Sequence, residues 1–216
     1  MPTRRPHLLL LNASLAGDTG NTAILLARAR QLLARRATVE SLTLATLPPI
    51  ARSASAESVS QPSTLSSQLV SALQRADGFL IGTGTHWDSW SSVLQKFLED
   101  ATPAEGTKLW LGKPAAVVVS EHSVGGKGVL SRLQGVLVTL GCTLPPMSGM
   151  VLSRAAVIAA QHDTAAARDF WCVDDLRVVC HNLAEAARVS LPEASPAQPR
   201  WKTWPVDRED FAARWL

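Results

Sequence analysis

Three cysteines, Cys142, Cys172 and Cys180, are too few and too irregularly spaced for a disulfide framework, an iron–sulfur cluster or a structural zinc site, since no two form a CxxC pair. No histidine stands at metal-ligand spacing to another, so no metal site is expected. A reducing, cytoplasmic setting is the expectation. The chain also lacks a long apolar run. Leu8 to Leu11 follows Arg4 and Arg5 as the start of a signal peptide would, but Asn12 ends it short of the roughly 7 to 15 apolar residues that such a segment needs. No later stretch approaches the roughly 20 needed to cross a bilayer. Charge of one sign is scarce as well: 21 Lys and Arg against 18 Asp and Glu leave +3, with no stripe for nucleic acid. Arg28, Arg30, Arg35 and Arg36 fall between apolar positions at helical spacing and read as a solvated helix face. Without a Gly-Lys-Ser/Thr ending there is no P-loop, and without GxGxxG no dinucleotide fingerprint.

What is present is core material. A hydrophobic content of 46% and a mean hydropathy of +0.09 are enough for one sizeable domain. Short apolar strands at His7 to Leu11, Val39 to Leu44, Phe79 to Ile81 and Ala115 to Val119 alternate with amphipathic stretches, with a fifth strand expected between Thr143 and Val151. A helix is expected over Thr22 to Arg36, and a long one over about Thr164 to Val189. Ala45 to Ser63, with three prolines and many serines, reads as a surface loop. Apolar strands separated by crossover helices imply an α/β fold: a flavodoxin-like doubly wound five-stranded parallel sheet of order 2-1-3-4-5, with helices on both faces and ligands at the carboxyl ends of the strands. Residues 1–190 form this domain, and residues 191–216 a Pro/Trp-rich tail, in which Asp207 is placed to cap a short helix carrying Phe211 and Trp215 on one face.

The first strand runs into Asn12-Ala13-Ser14-Leu15-Ala16-Gly17-Asp18-Thr19-Gly20-Asn21-Thr22, a loop of small hydroxyl, amide and glycine residues before a helix. Free N–H groups at a helix start, with Ser14, Asn21 and Thr22, surround a phosphate without needing a lysine. An ordinary N-cap by Thr19 or Asn21 accounts for the same residues equally well. If an anion binds, a monophosphate suits the loop better than a pyrophosphate, and FMN is the common cofactor of that kind in this fold.

Asn12-Ala13-Ser14 followed by Gly20-Asn21-Thr22 resembles the NGSP-R-x-x-GNT loop of NADPH-dependent FMN reductases and related NAD(P)H:quinone oxidoreductases. Ala76-Asp77-Gly78, the strand to Gly82, and Thr83 to Ser89 resemble the family's ADG-strand-PVYWGS segment. Leu94-Gln95-Lys96-Phe97-Leu98-Glu99-Asp100 resembles its LK-x-F-L-D helix, and Gly112-Lys113-Pro114, the strand to Ser120 and Gly125-Gly126 match a third segment. The chain departs from the pattern at Ala16, where arginine is usual, at Gly84 and His86, which replace proline and tyrosine, and at Asp18, which brings a negative charge near the phosphate.

The resemblance implies that Ser14, Gly20, Asn21 and Thr22 hold the FMN phosphate. It sets Thr83, Gly84, Thr85, His86 and Trp87 along the ribityl chain and ring, with Ser120, His122, Gly125 and Gly126 at the far ring edge. FMN with NADPH or NADH as co-substrate, hydride transfer to the flavin and onward transfer to a small acceptor follow, with His86 or His122 as candidate proton donors and backbone N–H groups of Ser120 to Gly126 stabilising the reduced ring. The acceptor would be a flavin, quinone, nitro or azo compound, and the assembly a homodimer or tetramer that needs neither nucleic acid nor membrane. Two other readings fit the fold: a flavodoxin-type electron carrier, disfavoured by a sequence pI near 9.0, and a flavin-free interaction module suggested by the departures.

Overall fold

The computed structural model describes residues 4–47, 65–162 and 170–191. Five parallel strands, β1 (His7–Asn12), β2 (Thr38–Thr43), β3 (Gly78–Gly84), β4 (Ala115–Glu121) and β5 (Gly149–Ser153), form one sheet in the order β2-β1-β3-β4-β5. This is the order expected from the sequence. The register sets Leu10 of β1 beside Leu80 of β3, and Leu80 beside Ala116 of β4.

The central strands are apolar along their whole length because both faces are covered, and alternate residues feed different cores. Leu9, Leu11, Phe79, Ile81, Val117 and Val119 point to the face covered by α2 (Ser67–Arg75), α3 (Ser92–Ala101) and α4 (Gly126–Leu140). Leu8, Leu10, Leu80, Ala116 and Val118 point to the opposite face, covered by α1 (Asn21–Leu33) and α6 (Leu176–Val189). On the first face Trp110 is fully buried between Phe79 and Phe97, with ring centroids 5.2 and 6.0 Å away. Such contacts add to the area that these rings bury.

The carboxyl-terminal third departs from expectation. The fifth strand starts only at Gly149, opposite Val117, beyond Pro145 and Pro146. Prolines cannot donate to a ladder, and these two separate β5 from an isolated parallel bridge between Thr143 and Pro114. The long helix expected over Thr164 to Val189 is not continuous. A separate helix, α5 (Arg154–His162), follows β5 directly, and α6 begins at Leu176 after a short 3-10 turn, Val173–Asp175. The Asp175 carboxylate accepts the Cys172 N–H at 2.7 Å, so Asp175 closes a local turn rather than continuing a helix from upstream. The predicted loop falls largely, and the tail beyond Leu191 wholly, outside the described residues.

Candidate functional site

Three loops leave the carboxyl ends of β1, β3 and β4, at the point where the strand order reverses. The first is shaped by Asn12, buried at the end of β1. Its Oδ1 accepts the Ser14 N–H at 3.1 Å and its Nδ2 donates to the Gly17 carbonyl at 2.8 Å. The Ser14 hydroxyl accepts the Ala16 N–H, and Thr19 donates to the Ala16 carbonyl. Neither Thr19 nor Asn21 caps α1. Gly20 occupies the N-cap position, with no side-chain hydrogen bond to the helix. By contrast, Ser66 caps α2 and Ser91 caps α3. The opening N–H groups of α1, from Asn21 and Thr22, are therefore left without a capping side chain, at the positive end of a helix 13 residues long. A Cβ on Gly20 would lie 2.7 Å from the Ala16 Cβ and 3.4 Å from the Ser14 Oγ, so the loop closes this tightly only around glycine. Asp18 turns toward the end of β2, where its carboxylate accepts from the Thr43 hydroxyl at 2.5 Å.

In the second loop Thr83 is fully buried and its hydroxyl donates to the Gly84 carbonyl, so this side chain belongs to the sheet. Gly84 pairs with Ser120, and the Thr85 N–H donates to the Ser120 carbonyl at 3.1 Å. His86 and Ser89 exchange two backbone hydrogen bonds of 2.8 and 3.0 Å around a two-residue turn. The His86 Nε2 and the carbonyl and hydroxyl oxygens of Ser120 each lie 3.8 Å from where a Gly84 Cβ would stand. Trp87, at the tip of this turn, has its whole side chain in solvent.

The third loop carries Ser120, whose Oγ lies 2.8 Å from that of Thr22 and joins β4 to α1. His122 is exposed, and its carbonyl accepts the N–H of Ala155. Gly125 has φ +93° and packs against Asp88, whose Cα is 3.3 Å from where a Gly125 Cβ would be, so the second and third loops abut. The Gly126 N–H donates to the Glu121 carboxylate at 2.6 Å. That N–H is therefore not available to a charge on a bound ring, and the carboxylate itself sits at the head of α4.

Ser14, Gly20 and Thr22 are thus gathered on one side, and Gly84, Thr85, His86 and Ser120 on the other, with the Thr22 to Ser120 contact between them. Sequence reasoning missed Glu121, and it missed Ser91, which donates to the Ala13 carbonyl while accepting the Leu94 N–H and so fixes the first loop to α3. A serine just before an apolar helical run was a readable cap signal for Ser91. Glu121, at the end of a strand and five residues before the N–H it meets, gave none.

The arrangement suits a flavin monophosphate. An uncapped helix start, the Ser14 hydroxyl and a glycine cradle supply donors and space for a dianion, and Asp18 is held away from it.

Similar folds occur in solved structures. RosB with the bound intermediate 8-demethyl-8-formylriboflavin-5'-phosphate superimposes with a TM-score of 0.68 at 16% identity, over 98% of this chain and 95% of that one. FerB, an NAD(P)H:(acceptor) oxidoreductase from Paracoccus denitrificans, gives 0.58 at 20% identity, over 84% and 97%. A flavodoxin from the domain Archaea gives 0.57 at 11% identity, over 84% and 99%. At these identities the likeness is one of fold. No curated protein matches the sequence. The family described as NADPH-dependent FMN reductase matches residues 6–157, which take in all five strands and all three loops. The chain is a member of the NADPH-dependent FMN reductase family.

Proposed function

We propose that the protein holds FMN across the three loops and works as an NAD(P)H-dependent oxidoreductase that passes electrons to a small acceptor such as a flavin, quinone, nitro or azo compound. The observation that carries this reading is the α1 start, which opens at the end of β1 with no side chain capping it. When bound, FMN supplies the hydride acceptance and the onward electron transfer. The chain supplies position and electrostatics. Ser14, Asn21 and Thr22 bind the phosphate through hydroxyl and backbone donors, and Gly20 gives it close approach to the backbone. Gly84, Thr85 and Ser120 form the floor for the ribityl chain and ring. His86, whose Nε2 lies next to Gly84, is the group best set to hand a proton to the ring edge, ahead of His122, whose loop turns toward α5.

The test uses the protein as purified. Its visible spectrum and the flavin released on denaturation report FMN, and anaerobic addition of NADPH or NADH reports reduction by loss of the flavin absorbance. Bound FMN bleached by either nucleotide is the expected result. Protein that takes up no FMN, or FMN that neither nucleotide bleaches, overturns the proposal.

A further inference from the structure

A second cavity, of about 320 Å³, opens beside the flavin loops, between α1, the ends of β4 and β5, α5 and the turn before α6, and it shares Asn21, Ser120 and Glu121 with those loops. Its walls combine two features that the fold does not otherwise explain. Ile24, Val157 and Val173 are among the exposed large hydrophobic residues of the molecule, and all three converge on this cavity with Leu152. Arg28 and Arg154 stand among them, and neither has a carboxylate partner among the described residues. Of the other arginines on the same helix, Arg30 donates to the Ser41 hydroxyl, and just past its end Arg36 pairs with Glu185; Arg28 reaches only the Gln31 amide, at 3.3 Å. Arg154 is the first residue of α5, where the helix dipole disfavours a cation. Local stability therefore does not account for it, and residues that break a local rule without a compensating contact mark function.

We propose that this cavity binds a small organic anion: an apolar body about the size of one or two rings, carrying a carboxylate or a phosphate monoester. The apolar side chains cover the body, and the guanidinium groups of Arg28 and Arg154 take the anionic head, each offering paired N–H donors that fit either oxyanion. Among the described residues the one acidic wall residue is Glu121, whose carboxylate turns to the Gly126 N–H at the start of α4, so the described wall carries an excess of positive charge. A volume of this size is at the small end for ligand pockets and matches such a molecule rather than a whole dinucleotide.

The experiment titrates the protein by calorimetry, with excess FMN present throughout so that the α1 phosphate loop is occupied, using 2-naphthoate, 1-naphthyl phosphate and the uncharged 2-naphthamide. At least one anion is expected to bind about tenfold or more tightly than the amide, and the Arg28→Gln/Arg154→Gln double variant is expected to lose that difference while melting at the wild-type temperature. Whichever anion binds better names the head group. Equal affinity for the amide and both anions, or an anion affinity unchanged in the double variant, overturns the proposal. Raising the salt concentration on wild-type protein gives a second readout without mutation: anion binding weakens and amide binding does not. The titration reads neither FMN content nor flavin reduction, so its failure is distinct from failure of the flavin reading.

Discussion

The hydroxyls of Thr22 and Ser120, 98 residues apart in sequence, lie 2.8 Å from each other and tie the first turn of α1 to the end of β4. Thr22 is almost fully buried, and its methyl group packs where a side chain on Gly82 would otherwise stand. Thr22→Val keeps the shape and removes the hydroxyl, leaving Ser120 without its partner. The expected cost is about 1 kcal/mol in denaturant unfolding, with weaker retention of FMN on dialysis; Thr22→Ser, which keeps the hydroxyl but empties the methyl's place, restores the FMN retention. Unchanged FMN retention in Thr22→Val would remove this pair from the site.

Gly20 tests the phosphate loop by space alone. Its φ of −88° and ψ of 170° are open to alanine, so backbone strain does not enter. The added methyl meets the Ala16 Cβ at 2.7 Å. Gly20→Ala is expected to lower FMN affinity about tenfold with little change in melting temperature, because the loop must open while the core is untouched. Since the collision is with one methyl group, Ala16→Gly combined with Gly20→Ala is expected to recover most of the affinity, read by fluorescence titration of FMN.

Trp87 and Asp88 have φ of 50° and 58° at the tip of the His86 to Ser89 turn. Paired positive φ values are those of a type I′ hairpin turn, which favours Asn-Gly and not a bulky ring. The ring has no core contact in return. Trp87→Gly is therefore expected to stabilise the fold by about 1 kcal/mol, measured by thermal and urea unfolding, while reducing turnover with an aromatic acceptor. A variant that is more stable and equally active would show that the ring serves neither packing nor the reaction.

Much of this was readable from the chain because it is local. Leu8 to Leu11 and Ala115 to Val119 are continuous apolar runs that only a strand covered on both faces uses, and the phosphate loop is one contiguous segment between strand and helix. The missed features depend on distant partners or on competition between neighbours. Asp88 against Gly125, Ser91 under Ala13 and the Thr22 to Ser120 contact exist only once the strand order is set. The break before α6 was hidden because Asp174 and Asp175, which fall inside the helix expected over about Thr164 to Val189, instead form the turn that starts a new helix. Arg28, read as part of a solvated helix face, lines a cavity together with Arg154 and Val157 of α5, and α5 itself went unseen.

Glu121 places a negative charge at the head of α4, where it accepts the Gly126 N–H. Beside a flavin ring such a charge opposes the added electrons, whereas a free helix start favours them. Glu121→Gln is expected to raise the midpoint potential of bound FMN and to cost roughly 0.5 to 1 kcal/mol of stability from the weaker cap. Equilibration with a reference dye measures the first effect and urea unfolding the second. A lower or unchanged potential would place the ring away from this strand end.

Asp77, just before β3, holds the amino-terminal segment to the sheet. Its carboxylate accepts two hydrogen bonds from the Arg4 guanidinium, at 2.7 and 2.8 Å, and the His7 N–H at 2.7 Å. Burial pushes its pKa up, but the Arg4 and His7 hydrogen bonds and the charges of Arg4 and Lys113 outweigh this and hold it below its ordinary value of 3.8. A carboxyl whose folded pKa is depressed stabilises the fold above its unfolded pKa and loses that contribution as pH falls through the folded value. Asp77→Asn is therefore expected to be less stable than wild type at pH 7 by about 1 kcal/mol, a charge-assisted contribution reduced because Arg4 is half exposed. The gap should hold as the pH is lowered toward 3.8 and close below it. Unfolding curves of the two proteins across that range check the sign, and a gap that widened in acid would show that Asp77 is not the carboxylate being protonated.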